Sequence, residues 1–215
     1  MNCKICGGTT TVVDVPKLER FYYKCSYCEF HFLDEKFIIT PEDEMKRYQK
    51  HNNSSNNRGY LNMFLDLKKE FIDPEIDNIN CALDFGCGKF PLLAEILNKN
   101  GISTDYYDLY FHPKKLFINK KYDLITSTEV IEHLKNPLEI LELFLDHLND
   151  GGYILLMTNF LPNSEDKFLD WWYIRDETHI GFFSLKTFSL LEEKLPLKII
   201  KTNNKNGVLF RRINA

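Results

Sequence analysis

The sequence predicts an α/β fold. A mostly parallel sheet would carry helices on both faces, end in an antiparallel strand pair and follow a small cysteine-bearing ribbon. Strand-like and helix-like segments alternate from residue 79 onward, a Gly-x-Gly turn follows the first of these strands, and two Cys-x-x-Cys pairs lie near the N-terminus. Alternation of this kind is typical of parallel sheets that are covered on both faces.

The composition indicates a folded protein and disfavours several other classes. Hydrophobic residues make up 44% of the 215 residues and charged residues 27%, an ordinary balance for a globular chain. No apolar run approaches the roughly 18 residues of a membrane helix, and the N-terminus lacks the apolar segment of a secretory signal. A net charge of −4 does not favour general nucleic-acid binding. We therefore expect a soluble cytoplasmic protein.

Four of the six cysteines form a regular pattern, in which Cys3-x-x-Cys6 is followed by 18 residues and then by Cys25-x-x-Cys28. This spacing is typical of zinc ribbons, where four thiolates close a tetrahedral zinc shell. Since so short a module cannot bury enough apolar surface alone, we expect a structural zinc ion to supply folding energy. The alternative is four unrelated core cysteines. His31 would replace one thiolate or, more simply, lie on the surface.

The chain divides into three predicted parts: a zinc ribbon at 1–36, a helical connector at 37–78 and a larger domain at 79–215. In the connector, Thr40 as a cap and Pro41 at the first helical position predict a helix that reaches about Lys50. A polar loop at 51–57 separates it from a second, amphipathic helix.

The larger domain is predicted to alternate strands and helices. Helix starts are indicated by Asn136-Pro137 and by Ser184, and Asn206-Gly207 predicts a hairpin turn. Strands are expected at 79–85, 102–107, 122–127, 153–158, 197–202 and 208–212, with a short candidate strand at 116–118, and helices at 91–98, 137–148 and 184–194.

The first strand of this domain runs into a glycine turn. Gly86 and Gly88 let a ligand approach the backbone closely, and the next helix points its N-terminus at the same place. Asp108 ends the second strand 20 residues after Gly88, where nucleotide-binding folds carry a ribose-binding carboxylate. Asp105, inside the strand, is the alternative. Pro91 replaces the third glycine of a dehydrogenase, and no Gly-Lys-Ser/Thr is present, which disfavours dehydrogenases and nucleoside triphosphatases.

A longer series of motifs resembles a known family. Leu83-Asp84-Phe85-Gly86-Cys87-Gly88, the acid after the next strand, the run Tyr122–Leu134 and Asn149–Tyr153 occur in the order of class I S-adenosylmethionine-dependent methyltransferases. Arg47-Tyr48-x-x-His51, Gly59-Tyr60 and the run Trp171–Ser184 are similar to a bacterial subgroup with an N-terminal zinc ribbon. Phe90 departs from the family, which often has glycine there. The resemblance implies a Rossmann-like sheet and methyl transfer from S-adenosylmethionine.

The resemblance also implies roles for single residues. Asp84 would orient the pocket near the methionine amine, and Gly86 and Gly88 would line the cofactor. Asp108 would bind both ribose hydroxyls, and Leu109 would pack on the adenine. The remaining residues implied to face the cofactor are Thr128 and Glu129, at the end of the third strand, and Tyr48 and His51, which would close over it.

Candidate catalytic residues follow two of the predicted strands. If the segment after the third strand is helical, Glu129, Glu132 and His133 share one face, and His179 approaches from a loop after the strand at 153–158. These groups are a candidate divalent-ion site, similar to the Glu-x-x-Glu-His-His arrangement of small-RNA 2′-O-methyltransferases, although Leu134 replaces the second histidine. The alternative is that Glu132 and His133 only anchor the segment by hydrogen bonds.

Asp176-x-Thr178-His179 offers a second arrangement, in which a carboxylate pairs with the imidazole and His179 acts as a general base. The alternative is a hydrogen-bond network that locks the loop. The aromatic residues at 171–183 are expected to be partly exposed.

The sequence favours a methyltransferase with a small-molecule acceptor. An RNA or protein acceptor, recognised by the ribbon, is the second interpretation, and a non-catalytic cofactor-binding protein is the third.

Overall fold

The computed structural model describes residues 1–50 and 57–213, and its strands form two sheets. In chain order the strands are β1 (Thr10–Val15), β2 (Arg20–Cys25), β3 (His31–Leu33), β4 (Cys81–Phe85), β5 (Ser103–Tyr107), β6 (Tyr122–Thr128), β7 (Leu148–Met157), β8 (Gly181–Phe182), β9 (Leu197–Thr202) and β10 (Gly207–Arg212). The α-helices are α1 (Pro41–Gln49), α2 (Arg58–Leu67), α3 (Leu92–Lys99), α4 (Pro137–Asp146), α5 (Glu165–Leu169) and α6 (Leu185–Lys194).

The large sheet has the order β5–β4–β6–β7–β10–β9. Its first four strands are parallel, and β10 runs antiparallel to both β7 and β9. The predicted mostly parallel sheet with a terminal antiparallel pair is confirmed. From β4 the chain adds β5 on one side and later β6 on the other, and this change of direction opens a crevice at the carboxyl ends of the strands.

The two faces of the large sheet bury separate apolar clusters, because neighbouring residues of a strand point to opposite faces. Leu124 and Leu155 pack towards α2 and α3, in a cluster with Phe64. Ile125 and Leu156 pack in the other cluster, which holds residues of α4 and α6. The sheet is therefore covered on both faces, as the alternating pattern predicts.

Two predicted helix starts are confirmed in atomic detail. The Thr40 hydroxyl accepts a hydrogen bond from the Asp43 N–H at 3.3 Å, and the Ser184 hydroxyl accepts one from the Thr187 N–H at 3.2 Å. Helix α6 carries a reciprocal capping box, because the Thr187 hydroxyl accepts from the Ser184 N–H at 3.1 Å.

Helix α4 starts at Pro137 as predicted, but the Asn136 side chain does not cap it. Its amide instead donates to the Glu139 carboxylate at 3.0 Å. Helix α4 ends at Asp146 because β7 already begins at Leu148. The candidate strand at 116–118 forms turns, and its central residue, Phe117, is buried against the aromatic rings of the core.

The segment after β6 does not meet the condition that it be helical. A single 3-10 turn spans Ile131–His133, and it is preceded by Glu129 with a φ of +54°. This left-handed conformation is unfavourable for a residue with a side chain, and it ends the strand abruptly. Acidic and imidazole side chains of this segment are therefore arranged by a tight turn and not by a helical repeat.

The small sheet has the order β1–β2–β3–β8 and is antiparallel throughout. Its fourth strand, β8, lies much later in the chain, between β7 and α6, and the sequence did not predict this pairing. The surface position expected for His31 is wrong, because His31 is 6% exposed and its ring lies 4.8 Å from that of Phe168. Its Nδ1 atom contacts the Glu29 carbonyl at 2.7 Å.

Candidate active site

The glycine turn after β4 lies at the carboxyl edge of the large sheet. The N–H groups of Gly86 and Cys87 donate to the Tyr107 carbonyl at 2.7 and 3.1 Å, which ties the turn to the end of β5. Gly86 has a φ of +82°, and a Cβ atom there would lie 2.2 Å from a methyl group of Val130. Both the backbone conformation and the lack of space therefore require glycine at this position.

Asp108 follows β5 directly and holds the turn from the other side. One oxygen of its carboxylate accepts from the Gly88 N–H at 3.0 Å. The second accepts from the N–H groups of Tyr110 and Phe111 at 2.9 and 3.0 Å. Leu109, the next residue, is 64% exposed at this edge. Asp105, the alternative acid, lies within β5, where its carboxylate contacts Lys120 and Tyr122.

Asp84 lies beneath the glycine turn and is only 2% exposed. The Thr126 hydroxyl, on the neighbouring strand β6, donates to its carboxylate at 3.0 Å. Burial raises the pKa of Asp84 to about 7, because the charged form loses water that its hydrogen bonds to protein groups do not fully replace. A cationic group near this carboxylate would favour its charged form.

Glu129 turns the chain away from the end of β6, directly after the buried Thr128. Its N–H donates to the Met157 carbonyl at 2.7 Å, so the left-handed residue is held by the neighbouring strand. Burial, together with the nearby Glu132, raises the pKa of the Glu129 carboxyl to about 8. This carboxyl therefore binds a proton much more readily than an exposed glutamate.

Glu132 is fully buried, and burial raises the pKa of its carboxyl to about 7. One oxygen contacts the Tyr173 hydroxyl, whereas the other has no hydrogen-bond partner among the described residues. The same hydroxyl lies 3.0 Å from the Glu129 carboxylate. Because a phenol has one hydrogen to donate, both contacts are satisfied when one carboxyl carries a proton.

Two histidines face this acidic pair. The Nδ1 atom of His133 lies 2.8 Å from the Thr178 carbonyl, and that of His179 lies 2.8 Å from the Tyr173 carbonyl. Because a carbonyl only accepts, each Nδ1 carries the hydrogen, and the lone pair of each ring is at Nε2. The ring centroids are 4.8 Å apart, and burial lowers the pKa of His133, which favours its neutral form.

The predicted ion-binding set is brought together in part. Ligand atoms of Glu132, His133 and His179 all lie within 4.8 Å of one another. Glu129 is not part of this group, although its carboxylate and that of Glu132 both contact the Tyr173 hydroxyl. Two imidazoles oriented by backbone carbonyls and one carboxylate form a chemically suitable donor set for a divalent ion.

The predicted pairing of Asp176 with His179 does not occur among the side-chain hydrogen bonds of the described residues. The Asp176 carboxylate instead accepts from the Arg47 guanidinium at 2.8 and 3.3 Å, and from the Thr178 hydroxyl at 2.8 Å. Although burial raises its pKa, Arg47 and Thr178 together hold the pKa of Asp176 well below its usual range. Asp176 therefore anchors its loop to helix α1.

Helix α1 packs against His133 through the ring of Tyr48. The Tyr48 ring meets the His133 ring edge-on at 5.4 Å, and the Tyr48 hydroxyl donates to the Glu44 carboxylate at 2.8 Å. The other oxygen of Glu44 accepts from the Tyr110 hydroxyl at 2.5 Å. Tyr48 thus lies beside the candidate catalytic groups. His51, the second residue expected to close over the cofactor, lies outside the described residues.

Two residues of the candidate site, Tyr173 and Tyr60, belong to the sequence motifs but received no functional role from the sequence. Tyr173 was expected to belong to a partly exposed aromatic group, but it is 1% exposed and contacts Glu129, Glu132 and His179. Tyr60, on α2, has a raised pKa because it is buried and faces Asp84 and Glu129. Of the large aromatic residues at 171–183, Trp172 alone is mostly exposed.

The four ribbon cysteines converge as predicted. The Sγ atoms of Cys3 and Cys28 are 3.5 Å apart, and those of Cys6 and Cys25 are 3.4 Å apart. A tetrahedral zinc ion with bonds of about 2.3 Å requires sulfur separations of about 3.8 Å, so small shifts would accommodate the ion. Backbone N–H groups, such as that of Ile5 towards Cys3 at 3.4 Å, point at the sulfurs. The cluster therefore fits a zinc ribbon.

A family model described as a methyltransferase domain matches residues 48–202. The chain belongs to this methyltransferase family. The matched range contains the glycine turn, Asp108, Glu129, Glu132 and both histidines of the candidate site, while the four ribbon cysteines precede it.

Solved structures with the same fold include the plantazolicin methyltransferase BpumL. Its complex with a triazolic desmethylPZN analog and SAH has a TM-score of 0.52 and 13% identity, and covers 84% of this chain and 94% of that chain. Its complex with SAH has a TM-score of 0.51 and 14% identity, and covers 84% and 93%. The N-methyltransferase NodS from Bradyrhizobium japonicum, in complex with SAH, has a TM-score of 0.45 and 13% identity, covering 80% and 98%.

No curated protein matches the sequence of this methyltransferase. Within residues 1–50 and 57–213, none of its helices has the length and apolar character needed to cross a bilayer.

Proposed function

We propose that this methyltransferase transfers a methyl group from S-adenosylmethionine to a small-molecule acceptor. Family membership supports methyl transfer, and the BpumL complexes with SAH, which share the fold, support the cofactor. One observation carries the proposal. At the carboxyl edge of the large sheet, a glycine turn without side chains lies beside a buried cluster of polar side chains. The residues concerned are Asp84, Gly86, Gly88 and Asp108 on the cofactor side, and Glu129, Glu132, His133 and His179 on the acceptor side.

The residues present fit this cofactor. Gly86 leaves bare backbone at the turn, and the Asp108 carboxylate lies against the Gly88 N–H, where it would receive ribose hydroxyls. Leu109 is exposed beside the turn and would cover an apolar ring, while the buried Asp84 would favour an ammonium group nearby. When bound, the cofactor supplies a methyl group that its sulfonium already activates.

The chain's own groups would orient the acceptor and receive its proton. His133 and His179 carry their lone pairs at Nε2, so we assign them as bases towards a hydroxyl or amine. Glu129 would orient the acceptor from the end of β6. Asp176 would act indirectly, since it fixes the loop that carries His179. Alignment is the larger requirement, because an activated methyl group needs mainly a well-placed nucleophile.

The depth of the acceptor side supports a small acceptor. Glu132 is 0% exposed and His179 is 8% exposed, so the reacting atom must reach below the protein surface. The net charge of −4 gives no general attraction for a nucleic acid. An RNA or protein acceptor would have to insert a single protruding group into this buried part of the site.

A divalent ion at Glu132, His133 and His179 stays a prediction. The buried, unpartnered oxygen of Glu132 is the observation that favours it, because a buried polar atom normally has a partner. With the ion bound, His133 and His179 would be its ligands and not bases, and the ion would polarise an acceptor hydroxyl in their place. Elemental analysis of purified protein, compared with the His133→Ala variant, should show one ion beyond the ribbon zinc. Equal metal content in both proteins would contradict this site.

The acceptor can be identified with methyl-labelled S-adenosylmethionine and fractionated cell extract. Label in small metabolites is the expected result, whereas label in RNA or protein would replace the proposed acceptor class. Calorimetry with SAH tests the cofactor independently of the acceptor. Binding of SAH without label in any fraction would indicate a non-catalytic protein, and the absence of binding would refute the proposed function.

A further inference from the structure

The zinc ribbon is joined to the acceptor side of the site by a pair of short strands. Strand β3 of the ribbon pairs with β8, with His31 opposite Phe182 and Phe32 opposite Gly181. One residue before β8, the Ile180 carbonyl accepts from the Leu33 N–H at 2.8 Å. The ribbon sheet therefore continues into the loop that carries His179.

The same residue contacts the candidate catalytic turn on its other side. The Ile180 N–H donates to the Glu132 carbonyl at 2.8 Å, and the adjacent His179 N–H donates to the Asp176 carbonyl at 3.2 Å. Ile180 thus lies between Leu33 of the ribbon and Glu132 of the acceptor side. Through the hydrogen bonds of its N–H and its carbonyl, Ile180 therefore connects the ribbon to the turn that carries Glu132.

The metal-binding end of the ribbon is anchored to the same region. The Cys28 carbonyl accepts from the Thr187 hydroxyl at 2.8 Å, and Thr187 is fully buried within the cap of α6. Two residues after Cys28, the ring of Phe30 packs against the ring of Phe183, with 4.8 Å between the ring centroids. A Cβ atom at Gly181 would lie 3.2 Å from the Phe30 ring, which shows how closely β8 fits against the ribbon.

Among the described residues, no hydrogen bond joins the ribbon to the cofactor side of the site. Asp84 and Asp108 are held by Thr126 and by backbone groups of Gly88, Tyr110 and Phe111, all within the large sheet and its loops. The hydrogen bonds of the ribbon strands therefore reach the acceptor side, whereas the cofactor side has its own hydrogen bonds and shares with the ribbon an apolar cluster that contains Leu83 and Phe85.

We infer that the zinc ribbon is a positioning element of the active site. The ion held by Cys3, Cys6, Cys25 and Cys28 fixes β3, and β3 through β8 fixes the backbone that carries His179 and Glu132. Loss of zinc should then impair methyl transfer while SAH binding persists. This inference rests on the proposed function for its catalytic part, but its structural part can be measured without an acceptor.

Cys25→Ser tests the inference, and Cys81→Ser is the matched control, because Cys81 is a thiol of β4 outside the cluster. For Cys25→Ser we expect loss of zinc, unchanged SAH affinity, and faster amide hydrogen exchange at 176–183 but not at 81–88. Methyl transfer should fall about 100-fold, as for a misplaced catalytic group. Full zinc content, or full activity without zinc, would overturn the inference.

Gly181→Val tests the strand pair with the cysteines intact. Its side chain should push β8 away from Phe30, so zinc should be retained, SAH should bind, and methyl transfer should fall as in Cys25→Ser. Normal activity together with normal exchange at 176–183 would refute the connection. If the wild-type protein binds SAH but methylates nothing, the proposed function fails, and the exchange measurement still decides whether zinc positions the loop.

Discussion

The Tyr173 hydroxyl contacts the buried carboxyl of Glu132. Tyr173, which lies between β7 and β8, thereby joins the polar cluster that follows β6. The same hydroxyl reaches Glu129 at 3.0 Å and Thr158 at 3.3 Å. Tyr173 therefore organises two carboxyls whose pKa values are both raised by burial.

Tyr173→Phe should lower methyl transfer and stability together, because it removes hydrogen bonds to acidic groups and keeps the ring. Bonds of this kind contribute about 1.5–3 kcal/mol, so the free energy of unfolding should fall by about this amount. Rate measurements and denaturant unfolding would show the effect. Tyr22→Phe is the control, since the Tyr22 hydroxyl is buried without a partner in the described structure. An equal loss in both variants would argue against a specific role for Tyr173.

Binding of SAH should release a proton near pH 6. Burial raises the pKa of Asp84 from 3.8 to about 7, so the free protein holds a proton there at pH 6. An ammonium group beside Asp84 would favour the carboxylate and expel this proton. Calorimetry at pH 6 in two buffers with different ionisation enthalpies would measure the release. Asp84→Asn should abolish it, and a binding enthalpy that is independent of the buffer in the wild-type protein would contradict the prediction.

The same shift fixes the sign of the pH dependence of stability. Between about pH 4 and pH 7 the folded protein retains a proton on Asp84 that the unfolded chain has lost. The contribution of this group to stability is therefore greatest below pH 4 and declines as the pH rises towards 7. Asp84→Asn should remove this part of the decline, which urea unfolding at several pH values would reveal. An unchanged pH dependence would show that Asp84 titrates normally.

Asp108→Ala should weaken SAH binding by about tenfold or more, because charged hydrogen bonds to ribose would be lost. The variant also removes the acceptor for Gly88, so the glycine turn should loosen. Asp105→Ala is the control, since Asp105 is another carboxylate of the same chain segment that binds Lys120 instead. Titration calorimetry would compare the two, and wild-type affinity in Asp108→Ala would refute the assignment.

Arg47→Ala should raise the KM for the acceptor with little change in SAH affinity. Arg47 joins α1 to Asp176 at 2.8 Å, and this contact is partly exposed, so we expect a cost of about 1 kcal/mol. A double-mutant cycle with Asp176→Asn would measure the coupling. Lys46→Ala, which removes an exposed ion pair with Asp43 on the same helix, is the control. Additive effects in the cycle would exclude a functional pairing.

Local patterns predicted much of this molecule. The spacing of Cys3, Cys6, Cys25 and Cys28 predicted a metal cluster, and their sulfurs converge. Alternating segments predicted the large sheet. The capping residues Thr40 and Ser184 start the expected helices. Each of these signals lies within a few residues of its own element, where propensity, periodicity and capping act.

Patterns that depend on distant partners were missed or misread. A helix was one possibility for the segment after β6, but Glu129 is left-handed and its N–H donates to Met157 of the next strand. For Asp176 the sequence left two alternatives open, a pair with His179 and a network that locks the loop, and Arg47 from α1 binds Asp176 in such a network. In each case a residue far away in the chain determines the local geometry, and such a contact cannot be predicted from the neighbouring residues alone.

The sequence alone predicted nucleotide and metal binding, because glycines at a turn, an acid after the next strand and paired thiols are local requirements of such sites, and the resemblance of its motif series to a family predicted methyl transfer. Only the tertiary structure decided how the ribbon meets the acceptor side, how Tyr173 joins the acidic pair and which ligands converge. Those arrangements come from packing and hydrogen bonds between segments brought together by folding, and their energies depend on burial that does not exist until the chain has folded.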